Sequence, residues 1–142
     1  MAPDPHNLQR FVGAQADVWD GVTDELETGL KTSHWMWFVF PQLAVLGRSA
    51  TAKFYGIRGV DEAKAYLAHP LLGPRLIDCV RLLLHQRDRS ARDVFGDVDA
   101  MKLRSCLTLF FAIAPQEPAF RDCLQQFFNG DADALTVQHL AD

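Results

Sequence analysis

The chain has 142 residues, 49% of them apolar and 23% charged, with a formal net charge of −4. A single domain of this length buries roughly 68–70% of the surface of its unfolded chain, and the composition is far from the low-hydrophobicity, high-charge signature of disorder. The acidic balance argues against a nucleic-acid partner, which needs a strongly basic face, and the longest apolar run is far below the ~20 residues of a membrane span.

The opening stretch, MAPDPHNLQRF, has neither the charged nor the apolar part of a secretory leader, so a cytoplasmic protein is expected. Spacings of three and four predict a short helix over 7–15. From Asp17 to Leu30, the residues Val18, Trp19, Val22, Leu26 and Leu30 form one apolar stripe, with Asp17 as expected N-cap and Gly29 as the stop. Glu25 falls at the edge of that stripe. Partial desolvation there raises a carboxylate pKa toward general acid–base use; a rim carboxylate paired to a basic neighbour is the plainer reading.

Residues 33–42, SHWMWFVFPQ, concentrate the chemistry. The bulky run from Trp35 to Phe40 cannot face one way in any regular backbone, and Pro41 limits its continuation, so a buried helical turn followed by an irregular segment is expected. His34 stands against two indoles, with Lys31 three residues before it and Gln42 just beyond. Such a set suits stacking of a planar group and capture of an anion; packed indoles and a structural imidazole are the alternative.

A short helix is predicted at 61–68. Over 70–86, Leu72, Leu76, Cys79, Val80 and Leu83 line one side, while Arg75, Asp78 and Arg81 occupy the other. Arg75, Arg81, Arg87, Arg89 and Arg92 read as a solvated face or, alternatively, as a local anion site. After a short helix at 91–95, Asp97 is expected to cap a longer one ending before Pro115, with Leu103, Cys106, Leu107 and Phe110 as its core face. On its polar side Asp99, Lys102 and Ser105 recur every three residues, and Asp99–Lys102 is most simply a helical ion pair. Pro118 opens a helix that stops at Asn129-Gly130, and a last helix covers 132–140.

Cys79, Cys106 and Cys123 lie in apolar helical patterns and are expected to be buried, reduced thiols. CxxC, HExxH, P-loop, GxGxxG and GxSxG patterns are missing, so neither metal nor cofactor is expected. The predicted fold class is all-α: one domain over 1–142, an irregular bundle of short helices.

Arg10-Phe11, Ala14-Gln15, Glu25-Leu26, Gly29, Lys31, Ser33 to Phe38, Phe40-Pro41-Gln42 and Leu46-Gly47 resemble an uncharacterised bacterial family with mycobacterial members, sometimes labelled "calpastatin". The likeness continues through Tyr55-Gly56-Ile57, Leu71 to Leu76, Phe95-Gly96, Lys102-Leu103 and Thr108-Leu109-Phe110, and so covers nearly the whole chain. It implies a small all-α domain and no established activity. The calpastatin label carries no weight, since that inhibitor is a disordered repeat protein and this composition is globular. In the family pattern a small hydroxyl residue and Met precede Thr-Leu-Phe, where this chain has Cys106 and Leu107. A remoter likeness to the NADAR family, which acts on ADP-ribose-linked compounds, is an analogy in the mixture of aromatic, Glu and Lys positions.

The leading reading is a small-ligand-binding domain, with enzymatic action left open. Glu25 and His34 are the candidate catalytic groups, expected to approach across a concave site. Lys31, Trp35, Trp37, Gln42, Arg75 and Lys102 are the candidate ligand-binding residues for a nucleotide-like or other planar anionic small molecule. The alternative is an interaction or self-association module that exposes the aromatic segment.

Overall fold

The computed structural model describes residues 3–141, which form nine α-helices and no strand. They are α1 (Gln9–Ala16), α2 (Trp19–Thr28), α3 (Met36–Val39), α4 (Ala50–Phe54), α5 (Val60–Ala68), α6 (Leu72–Leu84), α7 (Ala91–Ile113), α8 (Pro118–Phe128) and α9 (Ala134–Ala141). The all-α expectation holds, and most helices lie within two or three residues of their predicted limits. No helix among the described residues is long and apolar enough to cross a membrane.

Local chemistry explains many of the boundaries. Gly29 ends α2 in the left-handed region, at φ 84°, where a side chain is disfavoured. Pro118 occupies the first turn of α8 and Asn129 closes it at φ 55°. The predicted pair of helices at 91–95 and 97–114 is present within α7, as two helical stretches that meet at a kink at Gly96, which adopts the non-helical φ 80°, ψ 170°. Two caps were misassigned by sequence. Asp17 follows α1 and Val18 precedes α2 without a side-chain cap; the Asp97 carboxylate pairs with Arg92 Nε at 3.0 Å, and the cap of α7 is Ser90, in a reciprocal box with Asp93. Helix α4, capped by the Ser49 side chain, had no apolar period to announce it.

The core is one contiguous cluster running from Leu8 to Leu124, in which α8 packs on α6 and α7, α5 on the same pair, α2 on α6, and α9 on α7. Cys79, Cys106 and Cys123 are buried and free, as the pattern predicted. Burial pushes the Cys79 thiol up to about 12, and the other two thiols are raised as well. Leu30, expected on the stripe of α2, is instead exposed because Gly29 turns the chain before it.

Two long-range devices hold the segment between α3 and α5 in place. A single parallel bridge joins Leu43 to Ile57, with the Ala44 N–H donating to Ile57 O (2.7 Å) and the Ile57 N–H to Gln42 O (2.8 Å). Beside it, Arg10 donates to the carbonyls of His6, Asn7, Phe54 and Gly56 and pairs with Glu62 at 2.6 Å, with side chains only 6% and 3% exposed. Gly56 must be glycine for packing reasons, since a Cβ there would overlap the backbone of Ala44.

Candidate functional site

The turn after α2 is built around Glu25. Its Oε1 accepts the N–H groups of Thr32 (2.6 Å) and Ser33 (2.8 Å) and the indole N–H of Trp35 (3.1 Å), while Oε2 accepts the Ser33 hydroxyl (2.8 Å). Burial by itself would raise the carboxyl pKa, but the donors from Thr32, Ser33 and Trp35 together outweigh it and hold Glu25 below the ordinary glutamate value. The upward shift expected from its place on the helix is therefore reversed. Glu25 does lie at the border of the apolar stripe, but the turn that follows surrounds it with donors.

His34 does not join this arrangement. Its residue is exposed, and the Glu25 carboxylate takes its donors from Thr32, Ser33 and Trp35. The expected Glu25–His34 contact is not formed, because the carboxylate captures the backbone of the turn itself.

Trp35 is 1% exposed and packs against Phe40 and Phe95. Lys31 lies over its ring, with Nζ 5.0 Å from the centroid, and is itself buried, its side chain 7% exposed. That ammonium pairs with Asp99 Oδ2 at 2.9 Å and donates to Ser33 O at 2.6 Å. Trp35 and Lys31 thus belong to the inside of the molecule.

Trp37 faces the other way, half-buried, on the single turn of α3. Together with Met36, Phe40, Gln42, Tyr55 and Lys102 it lines a pocket whose enclosed volume is about 10 Å³, room for about one water molecule. Lys102, from α7, places Nζ 5.1 Å from the Trp37 ring centroid. The predicted Asp99–Lys102 pair is present at 3.4 Å, and Asp99 also holds Lys31, so one carboxylate serves two lysines from opposite halves of the chain. Ser105 turns back instead, its hydroxyl donating to Met101 O.

Arg75 lies elsewhere. Its guanidinium covers Trp19, 4.5 Å from the centroid, and donates to Gln15 Oε1, while Gln15 Nε2 donates to Phe38 O and to the Tyr66 hydroxyl. The remaining arginines of that stretch behave as a solvated face, with Arg81 and Arg92 exposed even where they reach Glu117 and Asp97. Among the predicted site residues, then, the fold gathers Glu25, Lys31 and Trp35 in one place, Trp37, Gln42 and Lys102 in a second, and leaves His34 and Arg75 outside both. Tyr55 and Phe40, which complete the Trp37 pocket, were not predicted as site residues. Phe40 lies in the aromatic stretch 33–42, whereas Tyr55 had only the Tyr55-Gly56 pair as a local signal.

The architecture is an all-α domain in which an aromatic turn is clasped from behind by a carboxylate and faced by a lysine. The chain belongs to the family described as "Protein of unknown function (DUF1810)", which it matches over residues 5–140. It is similar to the conserved hypothetical protein Rv1873 from Mycobacterium tuberculosis, whose crystal structure superposes with a TM-score of 0.96 at 47% identity, covering 98% of this chain and 99% of that one. Comparison with curated proteins finds no match. Among the described residues no group of three His, Cys, Asp or Glu side chains is placed to hold a metal ion.

Proposed function

We propose that this domain binds a small planar anionic ligand, nucleotide-like in joining a ring to negative charge, along the groove of Trp37, Gln42, Tyr55 and Lys102. The observation that carries this reading is the Lys102 ammonium held over the half-buried Trp37 indole. A cation and a π-face presented together recognise a ring bearing an anionic group. Asp99 leaves this charge available, because it is shared with the buried Lys31. The enclosed space takes only about one water, so the ligand lies along the mouth of the groove, with its ring against the open part of Trp37.

Binding is favoured over an interaction module by the burial of Trp35, Met36 and Phe40, since these large anchors are not offered to a partner surface. No chemical step is assigned: Glu25, with both oxygens occupied and its pKa lowered, acts as a structural carboxylate. The test is a tryptophan-fluorescence titration with AMP, ADP-ribose and NAD. Saturable quenching is expected, lost in Trp37→Phe and weakened about tenfold in Lys102→Gln, while Trp19 and Trp35 serve as internal references. Flat traces at millimolar ligand overturn the reading.

A further inference from the structure

The Leu43–Ile57 bridge divides two cavities. Gln42 and Gly56 face the Trp37 pocket, whereas their neighbours Leu43 and Ile57 face a second space of about 280 Å³. Successive residues of an extended segment point to opposite sides, so one bridge serves both as wall and as partition. The far side is closed by the end of α9, where Leu140 reaches back to the core. That helix is tied down by local polar contacts: the Asp133 N–H donates to Thr108 Oγ1 at 2.9 Å, and the Asp133 carboxylate accepts from the Thr136 N–H and hydroxyl.

The second cavity is far larger than the first and lies just below the usual small-molecule range of about 300–1,000 Å³. Its apolar lining comes from Leu43, Val45, Ile57, Val60 and Leu140 and makes up only about half of its surface. Two side chains of another kind complete the lining, Arg58 and His139. The Arg58 backbone N–H is held by Glu62 Oε1 at 3.4 Å, but its guanidinium has no ion-pair partner among the described residues, and neither has the His139 imidazole. The acidic groups nearest Arg58 in sequence are not in the lining: Glu62 is turned inward to Arg10, and Asp61 is exposed outside the cavity. A half-open, part-apolar space with a permanent cation and an imidazole at its edge is complementary to one chemical class.

We propose that this cavity is a binding site for a small amphiphilic monocarboxylate, with one ring or a short alkyl chain against Val45, Val60 and Leu140 and the carboxylate on Arg58 and His139. The planar guanidinium offers paired donors that match both oxygens of a carboxylate. The cavity volume limits the apolar part to a single ring or a short chain, and so to millimolar rather than nanomolar affinity. The site shares no lining residue with the Trp37 groove, so either can exist without the other.

The experiment is an NMR titration of the 15N-labelled full chain with hexanoate and benzoate, using hexanamide and benzamide as uncharged counterparts. Saturable shifts confined to the amides of Leu43, Val45, Arg58 to Val60 and Leu140 are expected for at least one carboxylate. They should be absent with its amide and weakened about tenfold in Arg58→Ala. Should Arg58→Ala fail to fold, Val45→Trp carries the same test, because Val45 is 60% exposed at the rim and a larger ring there narrows the mouth without entering the core. Equal shifts with the amides, absence of saturable shifts with either carboxylate, or undiminished binding in the folded variant overturns the proposal.

Discussion

Glu25 Oε1 accepts the indole N–H of Trp35 at 3.1 Å, across a turn in which the same carboxylate also holds the backbone of Thr32 and Ser33. The contact links the end of one helix to the largest fully buried side chain in the molecule. It makes the position of the aromatic segment depend on one ionised group.

Replacing Glu25 with Ala removes all four acceptor contacts and leaves the Trp35 N–H buried without a partner, at a cost of about 1–3 kcal/mol. In Glu25→Gln the loss should be smaller, because an acceptor oxygen remains. The pH dependence is the sharper measurement. A glutamate whose folded pKa lies below its unfolded value of 4.5 stabilises in full above that value and loses its contribution as pH falls through the folded pKa. Urea midpoints of the wild type should therefore decline below about pH 4.5 more steeply than those of Glu25→Gln. Asp4 and Asp93, held low first by the backbone N–H groups of Gln9 and Ser90, titrate in both proteins, so the difference isolates Glu25. Parallel acid limbs would contradict the assignment.

The two indoles of the aromatic segment should respond differently to truncation. Trp35→Ala empties a fully buried site and is expected to cost about 3–5 kcal/mol. At Trp37, half-buried at a pocket wall, the same change should cost about 1 kcal/mol or less. Equilibrium unfolding followed by circular dichroism, which does not depend on the deleted fluorophore, compares them, and similar losses would place Trp37 in the core.

Arg10 supplies donors to four carbonyls and to Glu62 at once, which only a guanidinium can do. Arg10→Lys keeps the charge but not the fork, and is expected to destabilise by about 2–3 kcal/mol; Arg10→Ala, which strands Glu62 in the interior, by about 3–5 kcal/mol. A lysine variant with wild-type stability would show that charge alone is needed.

Two glycines with open space around their Cβ positions should give opposite signs. Gly13 lies inside α1 with no positive φ, so Gly13→Ala should stabilise by about 0.5–1 kcal/mol. Gly96 interrupts α7 at φ 80°, ψ 170°, a conformation nearly restricted to glycine, and Gly96→Ala should cost about 1–3 kcal/mol. Thermal melts of the pair separate backbone strain from packing, since no atom lies near either new methyl group.

Much of this architecture was legible in the residues themselves. Apolar periods of three and four placed the long helices and buried the cysteines, and Gly29, Gly96, Pro118 and Asn129 marked breaks and ends through their own φ preferences. These are local properties, carried by each residue into any environment. Helix α4 escaped notice because so short an element shows too little of a period, and Asp17 and Asp97 failed as caps because a suitable side chain has other uses open to it.

The site was legible as a set of residue types but not as an arrangement. Both indoles of the segment carry the same local signal, yet Trp35 went inward and Trp37 toward the surface, because Glu25 captured one indole N–H while the turn of α3 placed the other ring beside Lys102. Asp99 and Lys102 were readable as neighbours one helical turn apart. The addition of Lys31 to that pair, and the meeting of Arg58 with His139 around one cavity, join residues far apart in the chain. Such partners are decided by how helices dock, where the burial of apolar faces outweighs any single polar contact and the charged groups take whatever neighbours that packing leaves within reach.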